Sequence, residues 1–309
     1  MEITTLIVCL GPYSTNDHYI CSNKENANKQ LRVAKPTFDS HPNWVAATQL
    51  STLAGATTFV VTGGEDPALR PNEVTHFLCA TKNSGFTSKV IKTKGLSLGE
   101  GFQGQKLRPG IQGNHLINWL EAGLNVIDIL VVSTRDSENA CFFQVADYPP
   151  LATTIAGLRN LGLDVHLSFF FVQSLLDSEK AFDETIDWCL NKGVTQVTIR
   201  PVHKNQQRKN VLNKEGGALS ENGPLQKIVD HILSNSSENK SDQHPENRRV
   251  FRNMNLCLVD CLKPPTDTQR IRKLIYYSAT GEVAYDWTHG ATLLAGTPQH
   301  YATKSIVSP

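Results

Sequence analysis

No stretch of this sequence approaches the roughly 20 consecutive apolar residues that a membrane-spanning helix needs. The apolar run near the N-terminus covers only residues 6–10, and neither a basic start nor a small-residue cleavage site accompanies it. It is expected to be a strand. The sequence also lacks an excess of either charge: 30 Lys and Arg stand against 29 Asp and Glu, a formal net charge of +1. No global field therefore draws the chain to nucleic acid or to an anionic membrane. The basic clusters at Arg248, Arg249 and Arg252, and at Arg270, Arg272 and Lys273, are short against that background. A dense disulfide framework is missing too. The seven cysteines, Cys9, Cys21, Cys79, Cys141, Cys189, Cys257 and Cys261, are odd in number and mostly scattered, which suits a reducing compartment better than a secreted scaffold. The expected localisation is cytoplasmic. With 39% hydrophobic and 19% charged residues over 309 positions, the chain can bury one large core or two modest ones, and disorder is excluded for most of it.

Five glycines, Gly55, Gly85, Gly123, Gly162 and Gly193, each stand between a helical apolar pattern and a run rich in β-branched residues. The runs are TTFVV, SKVIK, VIDILVVS, VHLSFFFV and QVTIRPV. Glycine just past a helix end takes up the left-handed conformation without steric cost, so each marks a helix stop. The preceding stretches show helical spacing at Ala46, Leu50, Leu53 and Ala54; at Leu116, Trp119 and Leu120; at Leu151, Ile155 and Leu158; and at Phe182, Ile186, Cys189 and Leu190. With the strand at residues 6–10 this predicts six strands alternating with helices. The glycines lie 30, 38, 39 and 31 residues apart, the size of a βαβ unit, and parallel strands follow. Such a chain forms either a full or partial barrel or an open doubly wound sheet, and both carry their sites at the strand C-termini.

Beyond Pro201 a further helix is predicted at Leu225, Ile228, Val229, Ile232 and Leu233, followed by a polar linker over residues 234–247. Residues 271–277 and 282–287 read as two strands around a turn containing Gly281. The expected organisation is a core over residues 1–203 and an extension over 204–309 that holds this hairpin, packed on the core.

At the end of the second strand stands Gly63-Gly64-Glu65-Asp66-Pro67, where paired glycines allow close backbone approach to a ligand. An ordinary βα turn would use the same residues. The segment TFVVTGGEDPALRP resembles the GGE motif of the radical SAM superfamily, and LEAGLNVIDILVVS with the residues up to QVTIRPV is similar to that family's fourth to sixth βα units. The resemblance runs from about residue 3 to residue 203. It implies a partial six-stranded α/β barrel with a small C-terminal extension. It also implies S-adenosylmethionine as cofactor, with Gly63, Gly64 and Glu65 at its amino group and Ser133, Ser168 and Arg200 as further contacts; His203 is a weaker match.

The family's C-x3-C-x2-C loop, which holds a 4Fe–4S cluster, is degenerate here. The register with the right spacing in DHYICSNK is Asp17-x3-Cys21-x2-Lys24, one cysteine of three. Iron–sulfur clusters need thiolates. Asp17 could offer oxygen, whereas Lys24 is an ammonium with no lone pair. Cys257 and Cys261, spaced C-x3-C, could add thiolates if their segment folds over the barrel mouth; buried small residues would show the same spacing. The loop over residues 11–41 also carries Lys24, Lys29, Arg32 and Lys35, which suit an anion site or a solvated basic loop. The resemblance implies reductive cleavage of S-adenosylmethionine to start radical chemistry on an unidentified substrate, and the ligand set argues against full activity. The alternatives are a pseudoenzyme that binds a nucleotide-like ligand or a protein partner, and a barrel enzyme using Glu65, Arg200 and a divalent metal.

Overall fold

Alternation along each strand decides which side meets the core. In β1 (Thr5–Leu10) the side chains of Leu6, Val8 and Leu10 enter the main hydrophobic core, while Thr5, Ile7 and Cys9 take the opposite face. The computed structural model describes residues 3–11, 41–63, 66–102, 111, 113–172, 174–201, 223–238, 248–259, 272–285, 287 and 292–295. After β1 come α1 (Pro42–Leu53), β2 (Thr58–Gly63), α2 (Pro71–Ala80), β3 (Ser88–Thr93), α3 (Leu96–Phe102), α4 (Gly113–Glu121) and β4 (Val126–Val131). Then follow α5 (Asp136–Phe143), α6 (Leu151–Asn160), β5 (Asp164–Phe171), α7 (Glu179–Lys192) and β6 (Gln196–Pro201). The later part holds α8 (Pro224–Asn235), β7 (Ser237–Glu238), β8 (Arg248–Phe251), β9 (Met254–Leu258), β10 (Lys273–Tyr277), β11 (Glu282–Ala284) and β12 (Thr292–Leu294).

Strands β1 to β6 lie side by side in chain order, all parallel, as the helix, glycine, strand pattern requires. All five marker glycines have positive φ; at Gly193, with φ of 75°, the turn closes α7 by bonding back to Cys189 and Leu190. The predicted helix faces at Leu151, Ile155 and Leu158, at Phe182, Ile186 and Cys189, and at Leu225, Ile228, Val229 and Ile232 are buried. Helix α1 differs. It buries Trp44, Ala47 and Ser51 and leaves Leu53 86% exposed, because Trp44 wedges against Phe77 and Tyr276 at ring distances of 5.0 and 5.3 Å and turns the helix accordingly.

The hairpin around Gly281 forms and joins the sheet at the edge of β1. Strand β10 adds to β1 in parallel, pairing Thr5 with Lys273 through Cys9 with Tyr277, and β11 and β12 continue from it antiparallel. On the other flank β9 adds to β6 in parallel, followed by β8 and β7 antiparallel. The sheet therefore runs linearly from β12 to β7, and the barrel is open. The start of the polar tract is helix and strand: α8 extends through Asn235, and Ser237 and Glu238 pair with Val250 and Arg249. No helix among the described residues is long and apolar enough to cross a membrane.

Candidate functional site

The face of the sheet turned away from the main core encloses a cavity of about 470 Å³. The residues of this face are layered by register. Ile7, Val60, Val90 and Val126 sit at one level and form a small apolar belt. Two residues further along each strand, Lys92, Asp128, His166 and Gln196 are successive cross-strand neighbours. The next level carries Ser168, Thr198 and Cys257, with Arg248 opposite Cys257, and Arg200 lies beyond, beside Phe170. Charged residues thus occupy alternate positions of β3 to β6, and the other face of β4, β5 and β6 is apolar.

Lys92 Nζ lies 3.5 Å from Asp128 Oδ2. Burial would raise the Asp128 pKa, but the Lys92 ammonium, then His166, the Ser168 hydroxyl and Arg200 outweigh it and hold the carboxyl below its usual value. Lys92 itself is lowered, by burial first and by the like charge of Arg200 second, with Asp128 opposing both. His166 is lowered chiefly by burial, with Asp128 and then Asp164 opposing. Asp128 Oδ1 and Ser168 Oγ are buried and make no hydrogen bond, although the hydroxyl is near enough to help keep the carboxyl ionised.

Of the residues expected from sequence, Ser168 and Arg200 come together on this face, and Cys257 joins them from β9. The Cys257 thiol is pushed up by burial, against the pull of Arg248, Arg200 and Lys92. It stands within the sheet, paired with Thr198, and not in a segment laid over the strand ends. Ser133 is placed elsewhere: in the bend after β4 its hydroxyl accepts from Arg135 N–H at 3.1 Å, shaping the turn into α5. Gly63 ends β2 opposite Leu10. Gly64, Glu65, Asp17, Cys21, Lys24, His203 and Cys261 lie outside the described residues.

Asp66, which separates the GGE motif from Pro67, clamps the end of β2 to the end of β3. Its Oδ1 accepts from Ala68 N–H at 3.0 Å and Thr93 Oγ1 at 2.7 Å, and its Oδ2 from Lys94 N–H at 3.1 Å. It thereby caps the short 3-10 turn Pro67–Leu69 and fixes the exit of the motif. Burial raises its pKa in spite of these bonds.

No group of three or more His, Cys, Asp or Glu able to hold a metal occurs among the described residues. Cys9 packs in an apolar cluster with Ile275 and Tyr277, and burial pushes the Cys189 thiol up to about 12. Both behave as small apolar residues.

Lys92, Asp128, His166 and Arg248 were not expected from sequence. The signal existed in VIDILVV, where Asp128 interrupts an apolar run, and in VHLSFFF, where His166 and Ser168 do, at the alternation that points them away from the core.

No protein-family model matches the sequence, and no curated protein does. Among solved structures the chain is similar to Streptococcus suis SuiB bound to S-adenosylmethionine, with a TM-score of 0.54 and 11% identity over 92% of this chain. The match spans 58% of the length of the SuiB chain. It is also similar to the coproporphyrinogen III oxidase HemN from Escherichia coli, a radical SAM enzyme, with a TM-score of 0.40, 12% identity, and coverage of 76% of this chain and 54% of that one. The fold is like that of SuiB, and the parallel array of β1 to β6 does not close into a barrel.

Proposed function

We propose that this protein binds S-adenosylmethionine, or a nucleotide-like ligand of the same kind, without cluster-driven radical chemistry. The observation that carries this reading is the donor set: a fold like that of a protein bound to S-adenosylmethionine keeps the GGE turn, while its first loop has one cysteine where three are needed. Gly63, Gly64 and Glu65 would hold the ligand's ammonium group. Ser168 and Arg200 would offer a hydroxyl and a guanidinium to its ribose or carboxylate, and Asp66 keeps the turn in place. In a family enzyme the cofactor supplies the difficult step. Without thiolates to hold the cluster, only the binding function is left.

The test uses protein purified iron-free with chelator and titrated with S-adenosylmethionine by calorimetry. Saturable binding is expected, and Glu65→Ala should weaken it about tenfold or more, as loss of a hydrogen-bonded charge does. After anaerobic treatment with iron and sulfide, the iron content should stay well below one cluster per chain and be unchanged by Cys21→Ala. A brown protein with a full cluster that is lost on Cys21→Ala, and that releases 5′-deoxyadenosine on reduction, would overturn the proposal.

A further inference from the structure

The cavity reaches the end of the sheet opposite the GGE turn. Thr5, Thr58, Ser88 and Gln196, the first residues of β1, β2, β3 and β6, line it, and so do Thr4 and Thr57 just before β1 and β2. Gly63, by contrast, is the last residue of β2. Sheets of this type carry their usual sites at the strand C-termini, so a collar of hydroxyls at the strand starts has no part in the cofactor reading. Thr57 is exposed and Thr58, Ser88 and Gln196 are half-buried, which leaves this end open to solvent. Further in, Ile7, Val60 and Val90 form an apolar belt, and Asp128 and His166 stand beyond it. Ser88 and Lys92 lie four residues apart on β3, a span of about 13 Å.

The charged groups of the cavity are already engaged. Lys92 pairs with Asp128 at 3.5 Å, and Arg200 and Arg248 have partners of their own, so nothing here calls for an ionic ligand. What is left over is hydrogen-bonding capacity. Among the described residues the hydroxyls of Thr58 and Ser88 and the ring of His166 make no hydrogen bond, and Asp128 Oδ1 is buried without one. A hydroxyl both donates and accepts, which makes another hydroxyl its natural partner. A sugar ring carries hydroxyls round its edge and C–H groups on its faces, the order in which the collar and the belt follow one another.

We infer that this end of the cavity binds a neutral glycoside of two rings, with sugar hydroxyls on Thr58 and Ser88, a ring face on the belt of Ile7, Val60 and Val90, and a donor of the second ring at Asp128 Oδ1. A volume of about 470 Å³ suits a ligand of that size. The donor satisfies the one buried carboxylate oxygen that the protein leaves unpaired, and an unpaired buried acceptor is costly. The site stands apart from the cofactor reading, which uses none of these residues.

The test is calorimetric titration of the full chain with maltose and, as a separate arm, with uridine, both without S-adenosylmethionine. Saturable binding in at least one arm is expected, and the preferred arm tells whether the second ring is a sugar or a base. Thr58→Val and Ser88→Ala each leave a ligand hydroxyl without its partner and should weaken binding about fivefold or more. Thr52→Val, at an exposed position of α1, should not change it. If Thr58→Val fails to fold, Ser88→Ala carries the test. No saturable binding in either arm overturns the inference, as does binding unchanged in the folded variants. Inorganic phosphate that binds saturably and displaces the glycoside would make the site ionic and overturn it as well. Displacement by S-adenosylmethionine would merge the cavity with the cofactor site and overturn a separate ligand. Glu65→Ala should leave the maltose or uridine isotherm unchanged, so failure here and failure of cofactor binding are read separately.

Discussion

His166 is a histidine on a strand where every second residue is apolar core, and its neighbours make it a reporter of the cavity. Burial lowers its pKa; Asp128 and then Asp164 oppose this, and Arg248 and Lys92 reinforce it. An unfolded chain protonates an ordinary histidine at a pH of about 6.5. Between that pH and the lower folded value the unfolded state binds more protons, so stability rises with pH. The contribution is therefore fully present above a pH of about 6.5 and is lost as pH falls through the folded value. Denaturant midpoints measured between about pH 5 and 8 should decline on the acid side, and His166→Gln should flatten that decline. An unchanged slope in the variant would place the titration elsewhere. A histidine in an apolar run reads from sequence as an ordinary core residue, because the charge of Asp128 beside it is visible only once β4 and β5 are in register.

At the scale of elements, the alternation of helices and strands was legible because a glycine with positive φ stands before each of β2 to β6, and at Gly193 it closes the helix itself. The face of α1 was not, since Trp44 takes its orientation from Phe77 and Tyr276, far away in sequence. Strands β8 and β9 were also missed, because RRVF and MNLCL are short and follow a polar tract. Lys89 shows a further connection that spacing does not reveal. On β3 it is 3% exposed, and its Nζ donates to the carbonyls of Thr81 at 2.9 Å, Ala122 at 2.8 Å and Leu78 at 3.4 Å. Those carbonyls belong to the C-terminal ends of α2 and α4, where a helix leaves acceptors unpaired and its dipole is negative. One ammonium thus ties two helix ends to the strand between them. Lys89→Met fills the same space but leaves the carbonyls dry, and it should cost about 2 kcal/mol or more, read as a shift in the denaturant midpoint. A loss below about 0.5 kcal/mol would show that water reaches those carbonyls.

At the scale of the whole molecule, the strands after residue 203 cover both flanks of the six-stranded array. Backbone N–H and C=O groups on the outer edges of β1 and β6 are paired by β10 and β9, and an uncovered edge is a template for aggregation. Strand β10 also gives the core Tyr276, which is 1% exposed and packs on Trp44 and Phe77 at 5.3 and 6.1 Å. Strand β9 brings Cys257 to the cavity, and β8 brings Arg248. A chain ended after His203 would lose the edges, the aromatic wedge and part of the cavity wall together. It should be insoluble or lack a cooperative unfolding transition. Tyr276→Ala in the full chain isolates the packing part and should cost about 3–5 kcal/mol, as truncating a buried aromatic does. A soluble monomer of residues 1–203 that unfolds cooperatively would instead establish the six-stranded array as an independent unit, with the later strands serving the site alone.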